Sequence, residues 1–338
     1  MKNTLRILLL FVLSAVLMLT VISCNKKSVS EDDFGNDGYI VVDGKRFTPD
    51  YIMKIGDINV TLQEYRYHYL NNKNDYDGGN NDVWKEQPEY IGVLQDTVEK
   101  SLIELYSVRS LCKEAGIESD IDAVYDAIDE YKDQEGLSSS QFEEGLKTHY
   151  LTEALYAYVL EGYQLYDKLY DHYFTGDGEK VMSDAEVLDF AEGYYYHVKH
   201  ILVYPNTSMP RDEYDERLDT ILERAQTEED FDALVAEYSN DAAMPEFGYY
   251  FTDGDKGAGY EEYEKACSEL EIGEVSDLIK TGDGCYVIKR LPVEEDDVKE
   301  LRDIIYNRKY ADMIENKIRT ISVEYLEGYE YIAPTTLK

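Results

Sequence analysis

Residues 194–203 read YYYHVKHILV, residues 229–241 EDFDALVAEYSND, residues 247–251 FGYYF, residues 272–276 IGEVS and residues 281–289 TGDGCYVIK. The first is a continuous β-favouring run, which suits a strand. After it, Pro210 can open a helix, and Leu218, Ile221, Leu222 and Ala225 fall on one helical face. A further short helix is expected over 230–238. Residues 248–251 look like a strand, 260–270 like a helix and 285–291 like a closing strand, with a turn at Gly273. Residues 194–292 therefore read β-α-α-β-α-β. These strands are too few and too short for a large doubly wound sheet.

The chain on either side of this block is mainly helical. Residues 39–42 and 45–47 flank Asp43-Gly44, a strong hairpin pair, and a second extended piece over 51–60 breaks at Gly56-Asp57. Thr61 and Glu64 have the spacing of a capping box, which opens a helix to about Leu70. An Asn-, Asp- and Gly-rich loop is expected over 71–82. Ile91, Leu94, Val98, Leu102, Leu105 and Cys112 then share one helical face, and Gly116 suits its end. More helices are expected over 121–131, from a cap at Ser139 or Ser140, over 151–174, and from the capping box Ser183–Glu186 to about Glu192. Residues 293–320 are again helical by pattern, and 321–325 suit a strand.

The first residues have the form of an export leader. Lys2 and Arg6 carry charge, and residues 7–22 are almost all apolar, a run a little short for a membrane span. Val21-Ile22-Ser23-Cys24 resembles the lipobox of bacterial lipoproteins. That resemblance implies cleavage after Ser23 and a diacylglyceryl group on Cys24. Residues 1–23 are then a signal peptide, and the polar segment 24–38 a flexible tether.

The net charge of −38 repels phosphate backbones, so no nucleic acid is expected as a partner. Beyond Cys24 the cysteines are Cys112, Cys267 and Cys285, an odd number with no paired spacing, which reads as buried apolar side chains. Tyrosine is abundant, at 33 residues, and most of it is expected at core edges. The acidic stretch 75–82 lacks the third acidic position and the distant Glu of a calcium loop. No metal or other cofactor is expected.

Taken together, the five opening blocks resemble the parvulin-type peptidyl-prolyl isomerase domain, in the family's order and spacing over residues 197–292. The layout of the whole chain is similar to the SurA/PrsA-type foldases of the cell envelope. The resemblance implies an α+β fold, with a helical domain over 39–192, an isomerase domain inserted at 193–292, and a C-terminal segment 293–338 that returns to the helical part. It also implies a chain held by lipid at the extracytoplasmic face of the bacterial membrane, acting on unfolded or partly folded exported polypeptides.

Residue by residue, His200 matches the first of the family's two core histidines, and Asp241 the position beside the substrate amide. Thr281 matches a hydroxyl of the same network. Tyr263 matches an aromatic wall of the proline pocket, joined by Phe251 and Phe247. The second core histidine falls on Tyr286, which can still donate and accept a hydrogen bond. Only Gly248 remains of the family's double glycine, and residues 254–259 are expanded and lack the pocket's methionine. His68, His149, His172 and His197 read as surface or core. The alternative to a working isomerase is a client-holding chaperone on the same fold, with Tyr286 marking a degenerate site.

Overall fold

The computed structural model describes residues 29–205, 208–227 and 230–338. The expected leader and Cys24 lie outside the described residues. No helix among the described residues is long and apolar enough to cross a membrane. The chain forms two compact units. Among the described residues, one takes the chain as far as Lys180 and again from Tyr310 to Lys338, and the other is Val181–Lys309.

The first unit opens with hairpin β1 (Ile40–Val42) and β2 (Lys45–Phe47), then hairpin β3 (Tyr51–Ile55) and β4 (Ile58–Thr61). Helices α1 (Leu62–Asp77), α2 (Tyr90–Ala115), α3 (Ile121–Gln134), α4 (Ser139–Lys147) and α5 (Glu153–Phe174) follow. The second unit contains α6 (Asp184–Tyr194), β5 (Tyr196–Val203), α7 (Arg211–Gln226), α8 (Phe231–Tyr238), β6 (Tyr249–Phe251), α9 (Glu261–Glu269), β7 (Ile279–Lys280) and β8 (Cys285–Leu291). Helix α10 (Val298–Thr320) leads back to the first unit, where β9 (Val323–Tyr325) pairs antiparallel with β3. The last residue closes this return, since Tyr39 and Lys338 exchange both backbone hydrogen bonds, at 3.1 and 2.9 Å.

Several local expectations change in the helical unit. Residues 31–34, expected in a free tether, form a 3-10 turn capped by Ser30, because Phe34 finds a buried place against Tyr158 with centroids 5.0 Å apart. Helix α1 runs seven residues past Leu70. The Asn71 and Asn72 amides donate to the carbonyls of Tyr67 and His68, at 2.7 and 2.8 Å, so these residues keep to the helix until Gly78 ends it in the left-handed region. Ser138, not Ser139 or Ser140, caps α4 in a capping box with Gln141. At α1 only half of the expected box forms. Thr61 accepts from the Glu64 N–H at 3.1 Å, but the Glu64 carboxylate turns into the core and accepts from the Tyr106 hydroxyl at 2.6 Å. On α2 the residues Leu94, Val98, Leu102, Leu105 and Cys112 are buried as one stripe.

The second unit is a four-stranded sheet of order β6-β5-β8-β7, antiparallel throughout. Two residues long, β7 is too short to leave a period in the sequence. The pleat of β5 separates two cores. Val198 and Leu202 pack with Tyr263 and Cys267 of α9, and His200 shares their face. Ile201 and Val203 pack with Leu218 and Ile221 of α7 and with Phe231 and Leu234 of α8. Cys112, Cys267 and Cys285 are free and buried. This unit is wider than residues 193–292. Arg302 of α10 pairs with Asp184, and the Met182 N–H donates to the Tyr306 hydroxyl at 2.6 Å, which brings α6 and the start of α10 into it.

Gly248 sets the approach of β6 to β5. Its φ is +93°, and a Cβ there would lie 2.5 Å from the Val198 carbonyl oxygen. Both features demand glycine. Gly248→Ala is expected to destabilise this unit by about 2–3 kcal/mol. Chemical denaturation checks it, and an unchanged midpoint would refute the close approach.

Candidate active site

His200 stands at the middle of β5, opposite Ile288 of β8. It is 3% exposed. Its Nδ1 lies 2.8 Å from the Tyr263 hydroxyl, and its Nε2 lies 3.0 Å from Asp241 Oδ2. His200 and Asp241 are 41 positions apart in sequence, and a short zipper brings them together. The Asn240 N–H donates to the Leu202 carbonyl at 2.7 Å, and the Leu202 N–H to Ser239 Oγ at 3.2 Å. Asn240 Oδ1 also accepts from the Tyr204 N–H at 2.9 Å. The residues leaving α8 are thereby fastened to the end of β5, and Asp241 follows directly.

Donor and acceptor accounting fixes the proton positions. Asp241 accepts from the Tyr249 hydroxyl at 2.9 Å and from the Ala243 N–H at 3.0 Å. Burial alone would raise its pKa, but these bonds and His200 hold it below the ordinary carboxylate value. Asp241 is therefore an ionised acceptor, so Nε2 of His200 carries the hydrogen. Nδ1 then accepts from Tyr263. Burial pushes the His200 pKa down to about 4, against the pull of Asp241, so the ring is neutral at neutral pH.

Aromatic rings enclose this pair. Tyr249 stacks on His200 with centroids 5.6 Å apart, and Tyr286 meets it edge-on at 4.9 Å. Tyr263 lies 5.0 Å from Tyr286 and 5.9 Å from Phe251. The Lys256 ammonium sits over the rings of Tyr249, Phe251 and Tyr263, at 4.3, 5.2 and 5.6 Å.

Not every expected residue joins this cluster. The Tyr286 hydroxyl donates to Asp283 Oδ2 at 2.9 Å, so only its ring reaches His200. Asp283 also accepts from Tyr260 at 2.8 Å and from Thr281. Thr281 thus belongs to a neighbouring hydroxyl–carboxylate set in the β7–β8 turn and makes no bond to His200 or Asp241. Phe247 is placed elsewhere. Its carbonyl lies 2.6 Å from His197 Nε2, and its ring stacks near Tyr250 at 6.3 Å. His197 and His200 are three apart on one strand, so the pleat turns them to opposite faces. Tyr249, Lys256, Tyr260 and Asp283 are additions. Of these only Tyr249 left a signal in the sequence, since strand alternation puts it on the face of Phe251.

A family model for the PPIC-type PPIase (rotamase) domain matches residues 200–291. Chaperone SurA of Legionella pneumophila is 29% identical over 126 residues, covering 36% of this chain and 29% of that protein. Foldase protein PrsA of Oceanobacillus iheyensis is 33% identical over 119 residues, covering 32% and 40%. Foldase protein PrsA of Caldanaerobacter subterraneus is 24% identical over 208 residues, covering 62% and 61%. The chain therefore spans less than two thirds of the length of these relatives. Among solved structures, a peptidylprolyl isomerase (PrsA) from Bacillus anthracis covers 65% of this chain and 96% of its own, at 20% identity and a TM-score of 0.34.

Proposed function

We propose that this protein, whose residues 200–291 form a parvulin-type peptidyl-prolyl isomerase domain, is a foldase that isomerises X-Pro bonds in unfolded or partly folded exported polypeptides. In this reading lipid on Cys24 holds it at the extracytoplasmic face of the membrane, and the helical unit keeps the client close. The observation that carries the reading is the buried His200, bonded on one side by Tyr263 and on the other by Asp241, within the matched segment.

Isomerisation makes and breaks no covalent bond. The barrier is amide resonance, about 18–20 kcal/mol. A catalyst lowers it by holding the proline ring in an apolar slot and by favouring the twisted amide over the planar one. Phe251, Tyr263 and the ring of Tyr286 supply the walls. His200 and Asp241 supply a fixed dipole and charge beside the amide, while Tyr249 and Tyr263 hold both in register. Thr281 acts at one remove, through Asp283 and Tyr286. The chemistry calls for no metal or cofactor.

The test is two-dimensional exchange spectroscopy on an X-Pro tetrapeptide with the full chain present. Cis–trans exchange well above the uncatalysed rate is the expected result. Exchange at the uncatalysed rate, in a folded protein that still suppresses aggregation of an unfolded client, would support the second reading, a holding chaperone without turnover. Tyr286 favours that reading, because its hydroxyl is committed to Asp283 and leaves the second histidine's place without a polar group toward His200.

A further inference from the structure

The expanded segment 254–259 is not a loose insertion. Glu264 accepts the N–H groups of Gly254 and Lys256, both at 2.9 Å, from the first turns of α9. Asp255 accepts the Thr252 N–H at 2.9 Å and pairs with Arg308. The backbone at Lys256 is thus held from both sides, and its side chain is laid across the aromatic cluster. Among the described residues no carboxylate lies within ion-pair distance of its ammonium. Tyr249, Phe251 and Tyr263 are its partners, at 4.3, 5.2 and 5.6 Å.

Two of those rings, Phe251 and Tyr263, are the faces assigned above to the proline ring. One set of faces then has two claimants. A proline entering the slot takes ring contacts from the ammonium, and the ammonium must find a new partner. Asp241 attracts the ammonium, but it already accepts from His200, Tyr249 and Ala243. A substrate carboxylate next to the proline can fill that need, and a neutral side chain cannot. With a net charge of −38, the protein otherwise repels an acidic segment, so a cation placed at the slot changes which sequences can enter.

We propose that Lys256 is a specificity-determining residue that makes this site prefer proline preceded by an acidic side chain, Glu or Asp. The assignment rests on the isomerase reading for the position of the proline. It is independent of whether turnover is fast.

The experiment uses two tetrapeptides that differ only in Glu or Gln before proline, with the full chain, Lys256→Met and Lys256→Arg. Titration followed by NMR gives the affinities, and exchange spectroscopy on the same samples gives the isomerisation rates. The parent chain is expected to bind the Glu peptide about fivefold more tightly than the Gln peptide at low salt. The ratio should persist in Lys256→Arg, fall toward one in Lys256→Met, and shrink as salt rises. Equal affinities in the parent chain, no binding of either peptide, or a preference that survives Lys256→Met in a folded protein would each overturn the assignment. Exchange at the uncatalysed rate with the charge preference intact would sink the isomerase reading and leave Lys256 as the selector of a binding site. Fast exchange without a charge preference would do the reverse.

Discussion

His200→Ala is expected to lower the isomerisation rate about a hundredfold, as removal of one fixed polar group from a dry site commonly does. The replacement takes away the acceptor of the Tyr263 hydroxyl and the Nε2–H donor of Asp241 in one step. Asp241 keeps Tyr249 and Ala243, so its charge stays in the site while its orientation loosens. Leaving the buried Tyr263 hydroxyl without its partner costs about 1–3 kcal/mol of stability as well. The pH profile separates a role in the reaction from a merely structural one. Because burial holds the His200 pKa near 4, the parent rate should be flat over roughly pH 6 to 8. It should fall only as the medium turns acid enough to charge the ring. Exchange spectroscopy on one peptide across that range measures both. A His200→Ala chain that is folded and retains the parent rate would remove His200 from the reaction.

Glu64→Gln is expected to stabilise the helical unit by about 3 kcal/mol at pH 8 and by little at pH 4. Glu64 is 1% exposed. Burial raises its pKa from 4.5 to about 7, and the Tyr106 bond and the charge of Arg109 only partly oppose this. Its Oε1 has no hydrogen-bond partner among the described residues. The folded chain therefore holds this proton where the unfolded chain has released it. Stability is fully present below the unfolded value of 4.5 and is lost as pH rises through about 7. Glutamine keeps an oxygen for the Tyr106 hydroxyl and carries no charge to bury. Thermal melts of the full chain and the variant over a pH series read the effect in the transition of the helical unit. Parallel melting curves at every pH would show that Glu64 is not a buried proton site.

Much of this fold was legible one element at a time. The stripe from Leu94 to Cys112, the caps at Thr61 and Ser183, the Asp43-Gly44 turn and the β-favouring run at 194–203 each carry their information within a few residues. So did the motif blocks that pointed to His200 and Asp241. Period and capping are local properties, and a local property survives in sequence.

The tertiary structure decided which polar atom meets which. Glu64 has the spacing of a capping residue, yet packing of α1 against α2 turns its carboxylate to Tyr106. Tyr286 stands where a histidine was expected, and the turn before β8 draws its hydroxyl to Asp283. Phe247 lies next to Gly248 in the chain, but it sits in the turn before β6, where its carbonyl meets His197. Lys256 lies in a segment that the sequence marks only as expanded, and Glu264, eight residues on, fixes the backbone beneath it. A side chain's partner depends on strand register and on where two distant segments are fastened together. Sequence alone therefore indicated most of the elements, their order and the candidates His200 and Asp241, while the fold determined the shell around them.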